Sequence, residues 1–317
     1  MLTLPDFKEK KILFVFGDKD MDNKLKFWND NIRLFRDNKP VNQLSCYKIL
    51  AVFVCGECSF TSVLIRNCMK YGISLFFTRN NFEVYATIGA GAEGNTLLRK
   101  RQYYSLNDFE LAKNLVKNKV YNQFMLLSKA KKIKTPVKFY KKFAEKIDLA
   151  GDEKVLLGLE GSSTKNYFRL YFGDIGWYRR MPRAKQDPQN ILMDIGYTLL
   201  FNFMDSILRL YGFDVYKGFY HKLFFQRKSL ACDLMEPFRC IIDSALLKMF
   251  TLKQFNAKDF KISKAKYFLP YDKQGKYLKI FSDVIMDNKE DIFGYIRQYY
   301  YSLINETEDM PFFKLIR

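Results

Sequence analysis

Histidine is almost missing from this sequence: 317 residues contain one, His221, so any chemistry that needs imidazole has a single address. Paired cysteine motifs are equally scarce. Cys55-Gly-Glu-Cys58 has the spacing of half a zinc site, but Cys46, Cys68, Cys232 and Cys240 supply no second pair, which disfavours a zinc ribbon and makes these thiols small buried hydrophobes in a reducing compartment. The opening Met-Leu-Thr-Leu-Pro-Asp-Phe-Lys-Glu-Lys-Lys11 lacks a basic stretch followed by an apolar one, and no apolar run approaches the length of a membrane span. The expectation is a cytoplasmic protein with no membrane role. Internal repeats and low-complexity segments are absent too, which disfavours solenoids and disordered tails.

Positive charge is what the chain has in excess. Against 34 Asp and Glu stand 53 Lys and Arg, a formal charge of +19, in a composition that is 48% apolar and 17% aromatic. Such a chain folds around a core and attracts a polyanion. The basic residues are spread along it rather than gathered on one amphipathic segment, so nucleic acid is the expected partner and an acidic membrane the weaker alternative.

Two domains are expected, in an α+β arrangement: a β-rich domain with one helix over residues 1–88, a glycine hinge over 89–95, and a larger all-α domain over 96–317. Ile12 to Phe16, Ile32 to Phe35, Ile49 to Val54, Ile73 to Phe77 and Phe82 to Ile88 are short, β-branched or aromatic, and bounded by Asn, Asp, Gly and Pro. The helix among them is capped by Ser59 and stopped at Gly72, and Asn80-Asn81 is expected to turn between the last two strands. Gly89-Ala-Gly-Ala-Glu-Gly94 spells a dinucleotide fingerprint, but it follows five strands instead of opening a repeating βαβ unit, so a hinge is the simpler reading. Helices are expected near 95–104, 106–131, 136–147, 162–172, 188–211, 230–250, 276–286 and 289–305. The one from Asp187-Pro188 to Gly212 is apolar nearly all round and reads as the buried central helix.

Asp233 and Glu236 lie three apart on a predicted helix and so share a face. Pro237 cannot donate to the Asp233 carbonyl, which predicts a kink there. A pair of acids is ordinarily a solvated face. Here Leu230, Leu234, Met235, Phe238, Ile241 and Ile242 drag them inward, where unpaired carboxylates are expensive and a cation is the natural remedy. Imidazole plus carboxylates with open positions suits Mg2+ or Mn2+. A further ligand must come from elsewhere, and Glu160, an acid among apolar residues at a predicted helix start, is the candidate. Taken alone it is more often a charge answering free helix-end amides.

Glu160-Gly with Tyr167-Phe168, then Arg183, Asp187-Pro-x-Asn190, Gly196-Tyr-Thr-Leu-Leu200, Gly218-Phe-x-His221 and Ser229-Leu-x-x-Asp-Leu-Met-Glu-Pro-Phe-Arg239 together resemble the CRISPR-associated protein one family, the integrase of spacer acquisition. Leu97-x-x-x-x-Gln102 and Asn122-Gln123 agree. The resemblance implies that Glu160, His221 and Glu236 bind a catalytic Mg2+ or Mn2+, with Asp233 as supporting acid. It implies attack of a 3′-hydroxyl of a short prespacer duplex on a phosphodiester of the CRISPR repeat, with endonuclease activity when water attacks. It further implies a homodimer through the β-domains, often two dimers bridged by a small second adaptation protein. Arg179, Arg180 and Arg183, with Lys222, Arg227 and Lys228 around the histidine, are the expected contacts to double-stranded DNA. The rival reading is a non-catalytic basic DNA-binding protein whose acids pair with its arginines.

Overall fold

In the computed structural model, residues 3–17, 21–79, 84–92, 94–105, 107–131, 136–177, 179–222, 224–307 and 310–316 are described. The first helix, α1 (Leu4–Lys8), is closed by a reciprocal cap between Thr3 and Asp6. Then come β1 (Lys11–Phe16), β2 (Asn23–Trp28), β3 (Asn31–Arg36), β4 (Lys39–Ser45), β5 (Ile49–Cys55), β6 (Ser59–Phe60), α2 (Ser62–Lys70), β7 (Ser74–Thr78) and β8 (Val84–Ile88). One sheet runs β1-β5-β7-β8, its first three strands parallel and β8 antiparallel to β7. Every residue of β5 is buried, as expected of the unbroken apolar run Ile-Leu-Ala-Val-Phe-Val-Cys at the middle of a parallel trio.

A second sheet runs β4-β3-β2-β6. Its two hairpins turn at Asn29-Asp30 and Asp37-Asn38, all four at positive φ, the conformation that Asn and Asp tolerate and that suits the twist of a two-residue turn. Neither β2 nor β4 was expected. In β2, Asn-Lys-Leu-Lys-Phe-Trp buries Leu25 and half-buries Phe27 between lysines, while β4 is an exposed edge carrying Pro40. The N-cap position of α2 is Thr61, two residues past the expected Ser59, which lies in β6. The Asn80-Asn81 turn lies outside the described residues, as does Phe82 at the expected start of β8. Val15, Leu25, Ile32, Val52, Leu64, Ile73 and Leu75 form the core of this part.

The remaining elements are α3 (Thr96–Tyr103), α4 (Asp108–Lys131), α5 (Pro136–Asp148), α6 (Glu153–Tyr171), α7 (Pro188–Tyr211), α8 (Ser229–Met235), α9 (Arg239–Thr251), β9 (Lys261–Ser263), β10 (Lys266–Phe268), α10 (Tyr271–Asp287) and α11 (Lys289–Asn305). Backbone contacts divide the chain into Met1–Arg99 with Asn202–Asp214, and Lys100–Phe201 with Val215–Arg317. The architecture is thus mixed, strands in the first part and helices in the larger second part. Two details correct the expectation: α1 joins α2 in the β-rich part, and the β9-β10 hairpin interrupts the helical part.

The glycine-rich stretch runs beside the last turns of α7. Ala92 N donates to Arg209 O at 3.1 Å, and a Cβ on Gly91 would lie 3.3 Å from that same carbonyl. Because β8 is antiparallel, these glycines do not follow a parallel strand, the setting a dinucleotide fingerprint needs. Helix α7 also corrects the statement that no apolar run reaches membrane length. Its 24 residues are long and apolar enough to span, but 83% of the apolar window is buried inside the protein, the behaviour of a core helix.

Candidate metal and DNA-joining site

Asp233, on α8, is fully buried and gathers the loop before it. Its Oδ2 accepts from Phe219 N at 2.8 Å and Tyr220 N at 3.0 Å; its Oδ1 accepts from His221 N at 3.0 Å and faces His221 Nδ1 at 2.5 Å. Gly218 makes this wrap possible, since a Cβ there would fall 2.5 Å from Asp233 Oδ2. The consequence is a fixed imidazole. With Nδ1 held by a carboxylate, Nε2 is the nitrogen left for a ligand, the arrangement that orients metal-binding histidines. Asp233→Asn would put an amide N–H where backbone donors converge. We expect strand joining to fall by about 10–100-fold in the folded variant; joining at the wild-type rate would show that Asp233 does not orient His221.

Pro237 breaks the helix as its missing N–H demands. Helix α8 ends at Met235, Glu236–Phe238 form a single 3-10 turn, and α9 resumes at Arg239. Glu236 is thereby turned into the interior, where Arg239 Nη2 lies 2.9 Å from its Oε1. Lys119, from the middle of α4, lies 2.8 Å from its Oε2 and also pairs with Glu160 Oε1. The other Glu160 oxygen accepts from the Tyr220 hydroxyl. Glu160 sits two turns inside α6, which starts at Glu153 and not near 162, so it is no helix-end charge. Lys119 therefore joins two carboxylates that are 76 positions apart in sequence.

Burial alone would raise the Glu236 pKa, but Arg239 and Lys119 hold it down at about 2. Burial likewise works to lower that of Lys119, and the Glu236 and Glu160 charges outweigh it and raise it. Both groups are ionised. Burial and the Glu160 charge keep the Tyr220 phenol protonated as a donor. The Lys119 ammonium, 2.8 Å away, is thus the charge that answers the buried Glu236 Oε2. Among the described residues, no three His, Cys, Asp or Glu side chains stand close enough together to hold an ion as they are.

Behind this cluster Asp243 on α9 accepts from Tyr197 Oη at 2.6 Å and Tyr167 Oη at 3.1 Å. The Arg239 guanidinium packs 4.6 Å from the Tyr197 ring centroid, which ties that network to the arginine on Glu236. Burial pushes the Asp243 pKa up to about 6, against the two tyrosine hydrogen bonds that favour the anion. The neutral acid's contribution to stability is complete below its ordinary 3.8 and is lost as pH rises through 6. We expect Asp243→Asn to flatten stability between pH 4 and 7 by about 3 kcal/mol relative to the parent. Parallel urea-midpoint curves for the two proteins would contradict this.

A profile of the family described as "CRISPR associated protein Cas1" matches residues 19–283. The chain belongs to the Cas1 family. A CRISPR-associated endonuclease Cas1 of Thermodesulfovibrio yellowstonii is 28% identical over 262 residues, spanning 78% of this chain and 82% of that protein. A Cas1 protein from Thermotoga maritima superimposes with a TM-score of 0.81 at 18% identity, over 97% of this chain and 100% of that one. A casposase bound to its integration product gives 0.79 at 20% identity, over 97% and 95%. The two structural likenesses establish a common Cas1-like fold.

In this Cas1 the expected site residues meet unequally. Glu160 and Glu236 converge on Lys119, and His221 stands beside them on Asp233 and against the Tyr220 ring at 5.2 Å. Sequence reasoning missed Lys119 and Tyr220. Lys119 lies three before Asn122-Gln123, and a lysine between Asn118 and Val120 in the middle of an expected helix was the available signal. Of the expected DNA contacts, Arg179, Arg183, Lys222 and Arg227 are exposed and Lys228 is half-buried. Arg180 is different: its guanidinium pairs with Asp194 and donates to Asn190 Oδ1 at 2.9 Å, holding the preceding loop onto α7.

Proposed function

We propose that this Cas1 inserts a short prespacer duplex into a CRISPR repeat. The 3′-hydroxyl of the prespacer attacks a phosphodiester of the repeat. A new P–O3′ bond forms, the old one breaks, and the proton lost by the attacking hydroxyl is balanced by one gained at the departing 3′-oxygen. Water in place of the hydroxyl gives the endonuclease reaction. One observation carries the reading: Glu160 and Glu236 share the Lys119 ammonium, and His221, held by Asp233, lies against Tyr220, whose hydroxyl donates to Glu160, all in a strongly basic protein.

The donor set fits a divalent cation. Two carboxylates and a tautomer-fixed imidazole are Mg2+ or Mn2+ ligand types, and the Lys119 ammonium already places a positive charge between Glu160 and Glu236. Glu160, His221 and Glu236 would hold the ion, which supplies Lewis-acid polarisation of the phosphoryl oxygens and a lower hydroxyl pKa. The chain's own groups do the rest. Arg239 keeps Glu236 ionised, Tyr220 orients Glu160, Asp233 orients His221, and Lys119 balances both glutamates. Arg179, Arg183, Lys222, Arg227 and Lys228 bind the DNA phosphates and set its register without reading bases.

The domain reading follows the same lines. Residues 1–88 form a dimerisation domain, 89–95 a hinge and 96–317 the catalytic domain. The homodimer pairs with a small second adaptation protein in the cytoplasm. The test is joining of a labelled short duplex into a repeat-bearing plasmid in Mg2+ or Mn2+, with and without that partner. Joining that chelator abolishes supports the reading. DNA binding without joining, indifferent to chelator, supports the non-catalytic alternative.

A further inference from the structure

Phe224 and Phe225, three and four residues after His221, are 75% and 83% exposed. Consecutive phenylalanines held in water lose the burial that draws such rings inward, so their presentation calls for a partner. The turn that carries them is closed: Arg227 N donates to Phe224 O at 3.0 Å, and Gln226 adopts φ +58°. It is also anchored at both ends. Ser229 Oγ donates to Lys222 O at 3.3 Å, and Lys222 pairs at 2.7 Å with Glu153, two turns before Glu160 on α6. Leu157, exposed, lies between those acids on the same helical face.

Charge selects among partners. Lys222, Arg227 and Lys228 bracket the two rings and no acid lies within the turn. Exposed aromatics between cations match an unstacked nucleic-acid base with its phosphates on either side. We infer that Phe224 and Phe225 are a stacking surface for unpaired DNA bases next to the phosphodiester under attack, with Arg227 and Lys228 holding the flanking phosphates. This rests on the joining reaction proposed above. It assigns the turn a specificity: targets whose bases separate readily at the junction are joined faster.

The test compares the parent with three double variants, Phe224→Ala/Phe225→Ala, Phe224→Leu/Phe225→Leu and Phe224→Tyr/Phe225→Tyr. Each meets a fully paired repeat target and the same target with two unpaired bases at the junction, both carrying 2-aminopurine there. Joining into the paired target should fall about tenfold or more for the Ala and Leu pairs, and stay within about threefold of the parent for the Tyr pair. Unpairing the bases in advance should restore the Ala and Leu pairs. The 2-aminopurine emission should change on binding to parent and Tyr pair only. A Leu pair that joins like the parent would make the patch an apolar docking site for something else, and equal losses on both targets would make it structural; either overturns the inference. If the parent joins neither target, the proposed reaction is what fails, and the emission change on bound DNA, which needs no chemistry, decides the stacking surface alone.

Discussion

Glu236→Gln is expected to reduce strand joining by about 10²–10³-fold or more while leaving the protein folded. The substitution keeps volume and one acceptor oxygen but removes the charge that Arg239 and Lys119 balance. His221→Ala should do the same, since no other histidine exists to replace it. Both variants should still bind DNA with an unchanged salt dependence, because neither side chain is among the phosphate contacts. The discriminating measurement is therefore a pair: joining rate and salt slope on the same preparations. Loss of both together would mean that these residues hold the fold and not the reaction.

The second large effect concerns Lys119. Lys119→Met should destabilise the protein by about 3–5 kcal/mol in chelator, because it leaves Glu160 and Glu236 buried without their shared counter-charge. Saturating Mn2+ should return part of that loss, about 3 kcal/mol at a hundred times the dissociation constant, and should stabilise the parent less. Urea denaturation with and without Mn2+ measures both numbers. A variant as stable as the parent in chelator would show that the two glutamates do not depend on the ammonium, and equal responses to Mn2+ would show that lysine and cation do not share a place.

Legibility in the sequence followed the strength of local signals. The strands β1, β3, β5 and β7 and the helices α7 and α11 are legible because their residues are apolar at the right period and their ends carry caps or breakers. Lys-rich β2 and exposed β4 carry no such pattern; partners in the same sheet, not propensity, make them strands. The start of α6 was misplaced because Gly158, Gly161 and two serines make that stretch a poor helix former taken alone. Its packing on α4 overrides propensity, and that shift is what moves Glu160 from a helix end to the interior.

At the site, acids near a proline and a lone histidine are visible in a linear reading, because each lies within 16 positions of the next. The Lys119 bridge is not visible, because it is a long-range contact between helices. The same holds for Arg180, which a linear reading places among DNA contacts and the fold commits to Asp194. Arginine on a loop reads as available until the chain that folds over it is known.

Manganese-soaked crystals, measured at the manganese absorption edge, address the central claim most directly. The account predicts an anomalous peak within ligand distance of Glu160, Glu236 and His221 Nε2, lost in Glu236→Gln. A well-occupied peak elsewhere, with the Lys119 bridge intact between the two glutamates, would contradict it.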